Sequence, residues 1–599
     1  MTTIKSFDKN SRQTGSAEVA KPHVENVEHS YPAEMDPATG KEAAPLMRSK
    51  EDDLTVWQSV RRYRMVAVIA MAAAFSASLD GYQINLNGGI VSNKGFIRQM
   101  ATSGTTIIAG KYISAWGGIQ STGQTIGQIL LQYATEAFGR KPALYIIWLT
   151  FVVVSEYWRS AIEVSLTVKQ SVLIESFASK WDHWLVAKLF SGMGVGMLQC
   201  TMPLYLSEIA PTQLRGFFIN AWFVVGQLFA SVALNRLSAT DPYDFRTPIY
   251  TQWAMIGAAG VIFVLVPETP WWLVSKGKMQ KAERVLKTCN GSVPGYDIQD
   301  QLNVMTSTVA HERIVAERNK EQGMWAVFKG RNLIRFIIAG WPKITQQFVG
   351  LTVFNTYATY FCKDVPYARA SQADLSVQYA GNKNPFLVTV ILSCVQLLSM
   401  LATAALTDQV GRRPLTVYPY GVTVLSVLCL GIVGCFDYKT PALSSLLVRL
   451  KRPLSLHMLF QKSDEIKIFF ACLATFSTTG ASAIGYAYAA EIPQQRLRAQ
   501  TAAWSLASSN MISIMFSFCT PLMINQPPTK WGPKTGFFFA GTGTVAVVIA
   551  WFILPEVTRR TPGEIDELFE KRVNLRKFKN YVTHARITAD EHHRQMELA

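Results

Sequence analysis

One acidic residue lies inside the first long apolar run of the chain. Asp80 stands in the segment Ser78–Gln83, within the run 63–86. A carboxylate at bilayer depth is costly unless it is paired or protonated, so intramembrane acids are typically functional. Two alternatives stay open at this point: Asp80 carries a proton, or it forms a permanent ion pair with a basic residue such as Lys188.

Two adjacent amides lie in the seventh apolar run, at 333–361. Gln346 and Gln347 each offer a hydrogen-bond donor and an acceptor together, which suits the hydroxyl groups of a sugar. Polar side chains within a membrane usually face a cavity or a neighbouring helix. The pair therefore indicates either a binding site for a hydroxylated ligand or hydrogen bonds between helices.

Short charged motifs occur twice along the chain, in the same order. The first set is Gly139-Arg140-Lys141, Glu208…Arg215 and Pro267-Glu268, and the second is Gly411-Arg412-Arg413, Glu491…Arg498 and Pro555-Glu556. Each motif begins or ends an apolar run. Arg and Lys at helix ends can pair with carboxylates of neighbouring helices. Such pairs would form in one conformation and break in another, or they would simply anchor loops at the membrane surface.

The elements that must position these residues are long and apolar. The chain has 599 residues, 49% of them hydrophobic, and twelve runs approach the roughly 20 residues that cross a bilayer as a helix. The runs lie near 63–86, 112–134, 142–155, 184–206, 217–236, 249–267, 333–361, 386–407, 414–436, 467–490, 500–524 and 535–555. A repeated order of spans and charged loops is typical of secondary transporters. We predict an all-α membrane protein with twelve transmembrane helices in two six-helix lobes.

The polar stretches divide the chain into five parts. We predict a disordered cytoplasmic tail at 1–60, a first six-helix lobe at 61–270, a cytoplasmic linker with short helices at 271–332, a second lobe at 333–556 and a cytoplasmic tail at 557–599.

The net charge of +17 is concentrated beside particular runs. Basic residues precede the first run at Arg61–Arg64, follow the sixth at Lys276–Lys287 and follow the last at Arg559–Lys579. With twelve spans, these groups fall on one side, which is the positive-inside pattern and places both termini in the cytoplasm. The pattern argues against binding of nucleic acid. The eight cysteines show neither metal-ligand spacing nor a disulfide framework, so no metal or cofactor is expected.

Taken together and in this order, the motifs resemble the sugar porter family of the major facilitator superfamily, fungal hexose and alpha-glucoside permeases in particular. The resemblance implies that both glutamines bind substrate, with further contacts from Tyr357, Gln396, Tyr486 and Asn510. It also implies a cytoplasmic charge lock between the lobes, formed by Glu136, Arg140, Lys141, Glu208, Arg215, Asp408, Arg412, Arg413, Glu491 and Arg498.

We expect the protein to transport its substrate and to leave the covalent bonds of the substrate unchanged, so the chain is not expected to be an enzyme. We expect symport of a sugar with a proton, with Asp80 as the proton carrier and a hexose or an alpha-glucoside such as maltose as substrate. The partners would be the sugar, protons and the lipid bilayer, and the protein would be a monomer in the plasma membrane. A proton-independent sugar facilitator and a non-transporting sugar sensor are the alternatives, and quinate or another polyol-like compound also stays open as the substrate.

Some segments fit this pattern poorly. Residues 156–171 interrupt the third run, and 439–467 place basic residues on the expected outer side; both are either real insertions or errors of gene prediction. After Arg215, the fifth run has about three residues fewer than the family has at this place. The helix face on which Gln227 lies therefore stays undetermined. The alternating glycines Gly192 to Gly196 indicate close helix packing and not a nucleotide loop.

Overall fold

Long α-helices make up most of the computed structural model. It describes residues 61–100, 108, 110–152, 175, 178, 180–209, 215–291, 293, 296–318, 325–350, 385–433, 463–525, 531, 534–558, 560–584 and 587. Within these ranges no β-strand occurs. The predicted segment 156–171 and most of 439–467 lie outside the described residues.

Twelve long helices, α1 to α12, follow one another in the described part of the chain. They are α1 Arg64–Ile90, α2 Gly110–Phe138, α3 Arg140–Val152, α4 Trp181–Ile209, α5 Arg215–Thr240, α6 Thr247–Leu265, α7 Gly330–Phe348, α8 Pro385–Val410, α9 Arg412–Val433, α10 Ser463–Glu491, α11 Arg498–Asn525 and α12 Thr535–Ile553. Eight of them hold a stretch long and apolar enough to cross a membrane; the other four are α2, α3, α5 and α7. Each helix overlaps one predicted apolar run, so the all-helical fold is confirmed.

Two glycines make the tight connections that carry the repeated charged motifs. Gly139 joins α2 to α3 with φ of +113°, and Gly411 joins α8 to α9 with φ of +98°. A side chain is strained at such angles, whereas glycine adopts them readily. The next helix can therefore begin at Arg140 or Arg412 immediately after the previous one ends.

Small residues let the helices approach closely inside the first half. A Cβ atom at Gly192 or Gly196 of α4 would overlap the backbone of Gln120 or Gln124 in α2. Close backbone approach at small residues is typical of helix packing in membranes. The packing interpretation of this glycine run is confirmed.

Shorter helices flank the long ones. Pro270–Ser275, Met279–Asn290 and Ile298–Arg318 lie between α6 and α7, and Pro562–Glu570 follows α12. The last of these is held against α7, because Asp566 pairs with Arg335, which is buried to 2% exposure.

Candidate functional site

A polar cavity of about 120 Å³ lies between helices of the first and second halves. Six carboxamides of the first half line it: Asn87, Gln120, Gln124, Gln128, Gln199 and Gln227. Four carboxamides line it from the second half: Gln346, Gln347, Gln396 and Asn510. Because every amide both donates and accepts, the lining can match a ligand that has many hydroxyl groups.

The predicted glutamine pair lies in this cavity, near the end of the described part of α7. Gln347 donates from Nε2 to Ser509 Oγ at 3.5 Å, while its Oε1 is buried and has no hydrogen-bond partner among the described residues. Buried polar atoms are normally paired, so this oxygen is an acceptor ready for a ligand hydroxyl. Gln346 accepts at Oε1 from Lys343 Nζ at 3.4 Å.

The other predicted binding residues are distributed as follows. Gln396, Tyr486 and Asn510 line the cavity, and Asn510 Nδ2 donates to Gln128 Oε1 of the first half at 3.1 Å. Gln227 also lines the cavity, which answers the question of its register. Tyr357 lies outside the described residues.

Lys343 is a cavity residue that the sequence reasoning missed. Its Nζ donates to Ser482 Oγ at 2.8 Å and lies 3.3 Å from the centre of the Tyr486 ring. The side chain is buried, at 5% exposure. A lysine one helical turn before Gln346, inside an apolar run, is the signal that could have identified it.

Asp80 is buried in α1, at 4% exposure, and accepts from Gln199 Nε2 at 3.2 Å. Since Gln199 also lines the cavity, it connects the carboxylate to that space. Lys188 does not pair with Asp80: its Nζ lies 3.0 Å from Glu175 Oε1. The alternative of a fixed Asp80–Lys188 pair is therefore wrong, and Glu175 is the partner that sequence reasoning did not find.

A first charge cluster lies where α3 begins. Arg140 contacts Glu208 Oε1 of α4 from Nε at 3.1 Å and from Nη2 at 2.5 Å. Glu268 accepts from the backbone N–H groups of Arg140 at 3.0 Å and Lys141 at 3.1 Å. Thr269 Oγ1 donates to Glu208 Oε2 at 2.5 Å. Burial raises the pKa of Glu268 above its usual value, against the opposing effect of these backbone donors.

A second charge cluster lies where α9 begins, and it repeats the first. Arg412 forms an ion pair with Glu491 of α10. Glu556 accepts from the backbone N–H groups of Arg412 at 3.0 Å and Arg413 at 3.1 Å. Thr558 Oγ1 donates to Glu556 Oε1 at 2.5 Å. The repeated motifs therefore share an arginine–glutamate ion pair and a glutamate that accepts from two backbone N–H groups.

At least one contact near these clusters joins the two halves. Gln500 Nε2 of α11 donates to Glu136 Oε2 of α2 at 2.8 Å. The ion pairs of Glu208 and Glu491 described above lie instead within their own halves. Arg498 is buried at 1% exposure, and the side chains of Arg215 and Asp408 lie outside the described part of the chain. The charge lock between lobes therefore stays a prediction, and Glu136 is a member with a described contact that crosses the halves.

Comparison with known proteins places this arrangement in a family. The family described as "Sugar (and other) transporter" matches residues 69–569. The MFS transporter fmqE of Aspergillus fumigatus is 25% identical over 590 residues, covering 95% of this chain and 99% of that protein. The general alpha-glucoside permease of Saccharomyces cerevisiae is 25% identical over 548 residues, covering 89% of this chain and 80% of that protein.

Solved structures show the same fold. The MFS proton:xylose symporter XylE of E. coli, bound to 6-bromo-6-deoxy-D-glucose, superposes with a TM-score of 0.64 at 20% identity. The match covers 85% of this chain and 100% of that structure. At this identity the likeness establishes the major facilitator fold.

Proposed function

This chain belongs to the sugar transporter family of the major facilitator superfamily, and we propose that it moves a sugar across the plasma membrane by alternating access. The observation that carries the proposal is the amide-lined cavity, to which both halves contribute. When a site is shared by two halves, rocking one half against the other exposes it to one side of the membrane and then the other. Both termini and the linker at 271–332 are proposed to face the cytoplasm.

The substrate is proposed to bind through residues of the second half. Gln346 and Gln347 supply donors and acceptors to its hydroxyl groups. The Oε1 of Gln347, which has no hydrogen-bond partner in the described part of the chain, supports this role. Gln396, Tyr486 and Asn510 add contacts from α8, α10 and α11. Hexoses and alpha-glucosides such as maltose are the first candidates.

Asp80 is proposed to couple transport to protons. No cation lies within ion-pair distance of its carboxylate among the described residues, and its hydrogen bond comes from the neutral amide of Gln199. A buried acid of this kind can accept a proton without first breaking an ion pair. Gln199 donates a hydrogen bond to Asp80 and also lines the cavity. Binding of the sugar in the cavity and protonation of Asp80 would therefore influence each other.

The experiment is uptake of labelled glucose and maltose in a yeast strain that lacks its own hexose and maltose transporters. We expect uptake by the wild type, loss of accumulation with a protonophore, and a similar loss in Asp80→Asn. Asp297→Asn, an exposed change of the same chemistry in the linker, is the matched control. A fluorescent tag reports whether each variant reaches the cell surface.

The same measurement separates the alternatives. Uptake that is indifferent to the protonophore and to Asp80→Asn would make the protein a facilitator. Absence of glucose and maltose uptake from protein at the cell surface would contradict transport of these two sugars and favour a sensor or a different substrate.

A further inference from the structure

The central cavity contains a buried lysine, Lys343, that a neutral sugar does not require. We propose that Lys343 binds a carboxylate of the substrate, so that the substrate class is a polyhydroxylated acid, such as a sugar acid. This inference rests on the proposed function, because it concerns the same cavity. The contact of Lys343 with the carboxylate would add to the hydrogen bonds that the amide side chains make with the hydroxyl groups of the substrate.

Among the described residues, the Lys343 ammonium group has no direct counter-charge. Its hydrogen bonds go to Ser482 at 2.8 Å and Gln346 at 3.4 Å, and its third neighbour is the ring of Tyr486. All three groups are neutral. A buried charge that lacks an opposite charge is expensive, and an ammonium group has three N–H donors to satisfy.

Asp80 is the described carboxylate that interacts electrostatically with Lys343, but it belongs to α1 of the other half. The two side chains do not reach ion-pair distance, and the hydrogen bond of Asp80 goes to Gln199. The cation is therefore compensated only at a distance. A ligand carboxylate in the cavity would make the charge-assisted hydrogen bond that Asp80 does not make.

The position of Lys343 on α7 lets one ligand contact both the lysine and the glutamine amides. Lys343 and the glutamines Gln346 and Gln347 are three and four residues apart on α7, so they share one helix face. All three line the cavity. A molecule with a carboxylate at one end and hydroxyl groups along its body can contact the lysine and the amides at once.

The test uses the full chain, purified in detergent, with glucuronate and gluconate as acids and glucose as the neutral probe. At one fixed pH, we expect glucuronate or gluconate to raise the melting temperature of the wild type. In Lys343→Gln, the acid concentration for half-maximal stabilisation should rise about tenfold or more, as expected for loss of a hydrogen bond between charged groups. Lys343→Arg should retain part of the response.

Lys329→Gln is the matched control, because it removes an exposed lysine beside the same helix. It should respond to the acids as the wild type does. Stabilisation by glucose but by neither acid, or an equal acid response in Lys343→Gln and the wild type, would overturn the inference. Uptake assays then distinguish the two proposals: a protein that binds the acids but transports nothing contradicts the transport function and leaves the carboxylate site supported.

Discussion

Glu268 and Glu556 make the same pair of backbone hydrogen bonds in the two halves of the chain. In both halves a helix begins directly after a glycine with a positive φ angle. Each carboxylate accepts from the first two N–H groups of that helix, at 3.0 and 3.1 Å. Anionic groups are favourable at helix N-termini, where these N–H groups have no partner within the helix. The duplicated sequence motifs therefore correspond to duplicated geometry.

The first prediction is that Glu268→Gln and Glu556→Gln each lower the stability of the protein. The glutamate carboxylate has two acceptor oxygens, whereas a glutamine side chain has one oxygen and one NH₂ group. One of the two backbone N–H groups would therefore lose its acceptor. We expect a loss of about 1–3 kcal/mol for each change, measured as a lower melting temperature of the purified protein. Glu283→Gln, at an exposed position of the linker, is the control; equal melting of all three variants would contradict the argument.

The second prediction concerns the contact between α2 and α11. Gln500→Ala removes the hydrogen bond to Glu136, which joins the halves near the charge clusters. If this contact stabilises a state closed at that end, its loss shifts the population toward the opposite state. We expect the KM for uptake to rise about two- to tenfold, corresponding to roughly 0.4–1.4 kcal/mol for a partly buried contact.

A control variant isolates the contact from general damage. Glu136→Gln keeps the size of the side chain and can still accept from Gln500, so its KM should change less than that of Gln500→Ala. A wild-type KM for Gln500→Ala, from protein at the normal surface level, would mean that the contact does not bias the conformations.

Sequence patterns were sufficient for the helices because apolar runs of membrane length have few other interpretations. They were also sufficient for the close packing of α4, since glycines at Gly192 and Gly196 share one helix face. The cavity-lining face of α2 was missed although its signal is local: Gln120, Gln124 and Gln128 are spaced by four residues and therefore lie on one face.

Other parts of the site could not be read from spacing. Glu175 lies outside the predicted runs, yet it pairs with Lys188 of α4 and accepts from Gln83 of α1, which is 92 positions away. Lys343 can be identified in the sequence as a charge inside an apolar run, but only the folded helices bring it beside Ser482 and Tyr486. Pairings between distant segments are set by tertiary packing, which a single sequence does not display.

The third prediction tests the packing of α4 against α2. Gly192→Ala should destabilise the protein, because the added methyl group would overlap the backbone of Gln120. At Gly257 of α6 a Cβ atom meets nothing within 4 Å, so Gly257→Ala should be neutral or stabilising by up to about 1 kcal/mol through helix propensity. The opposite signs are measured by thermal unfolding of the two variants, and a stabilised Gly192→Ala would refute the close approach.

The fourth prediction separates binding from stability at Gln347. Its Oε1 is buried without a partner among the described residues, so Gln347→Leu removes a polar atom that is costly in the absence of ligand. We expect the melting temperature without ligand to stay the same or rise, while the KM for uptake rises about tenfold, because a substrate hydroxyl loses its acceptor. Thr345→Val is the control on the same helix: Thr345 is fully buried and bonds to its own helix at Trp341, so transport should be unaffected. A Gln347→Leu variant that is less stable and transports with an unchanged KM would show that the amide supports the fold and not the substrate.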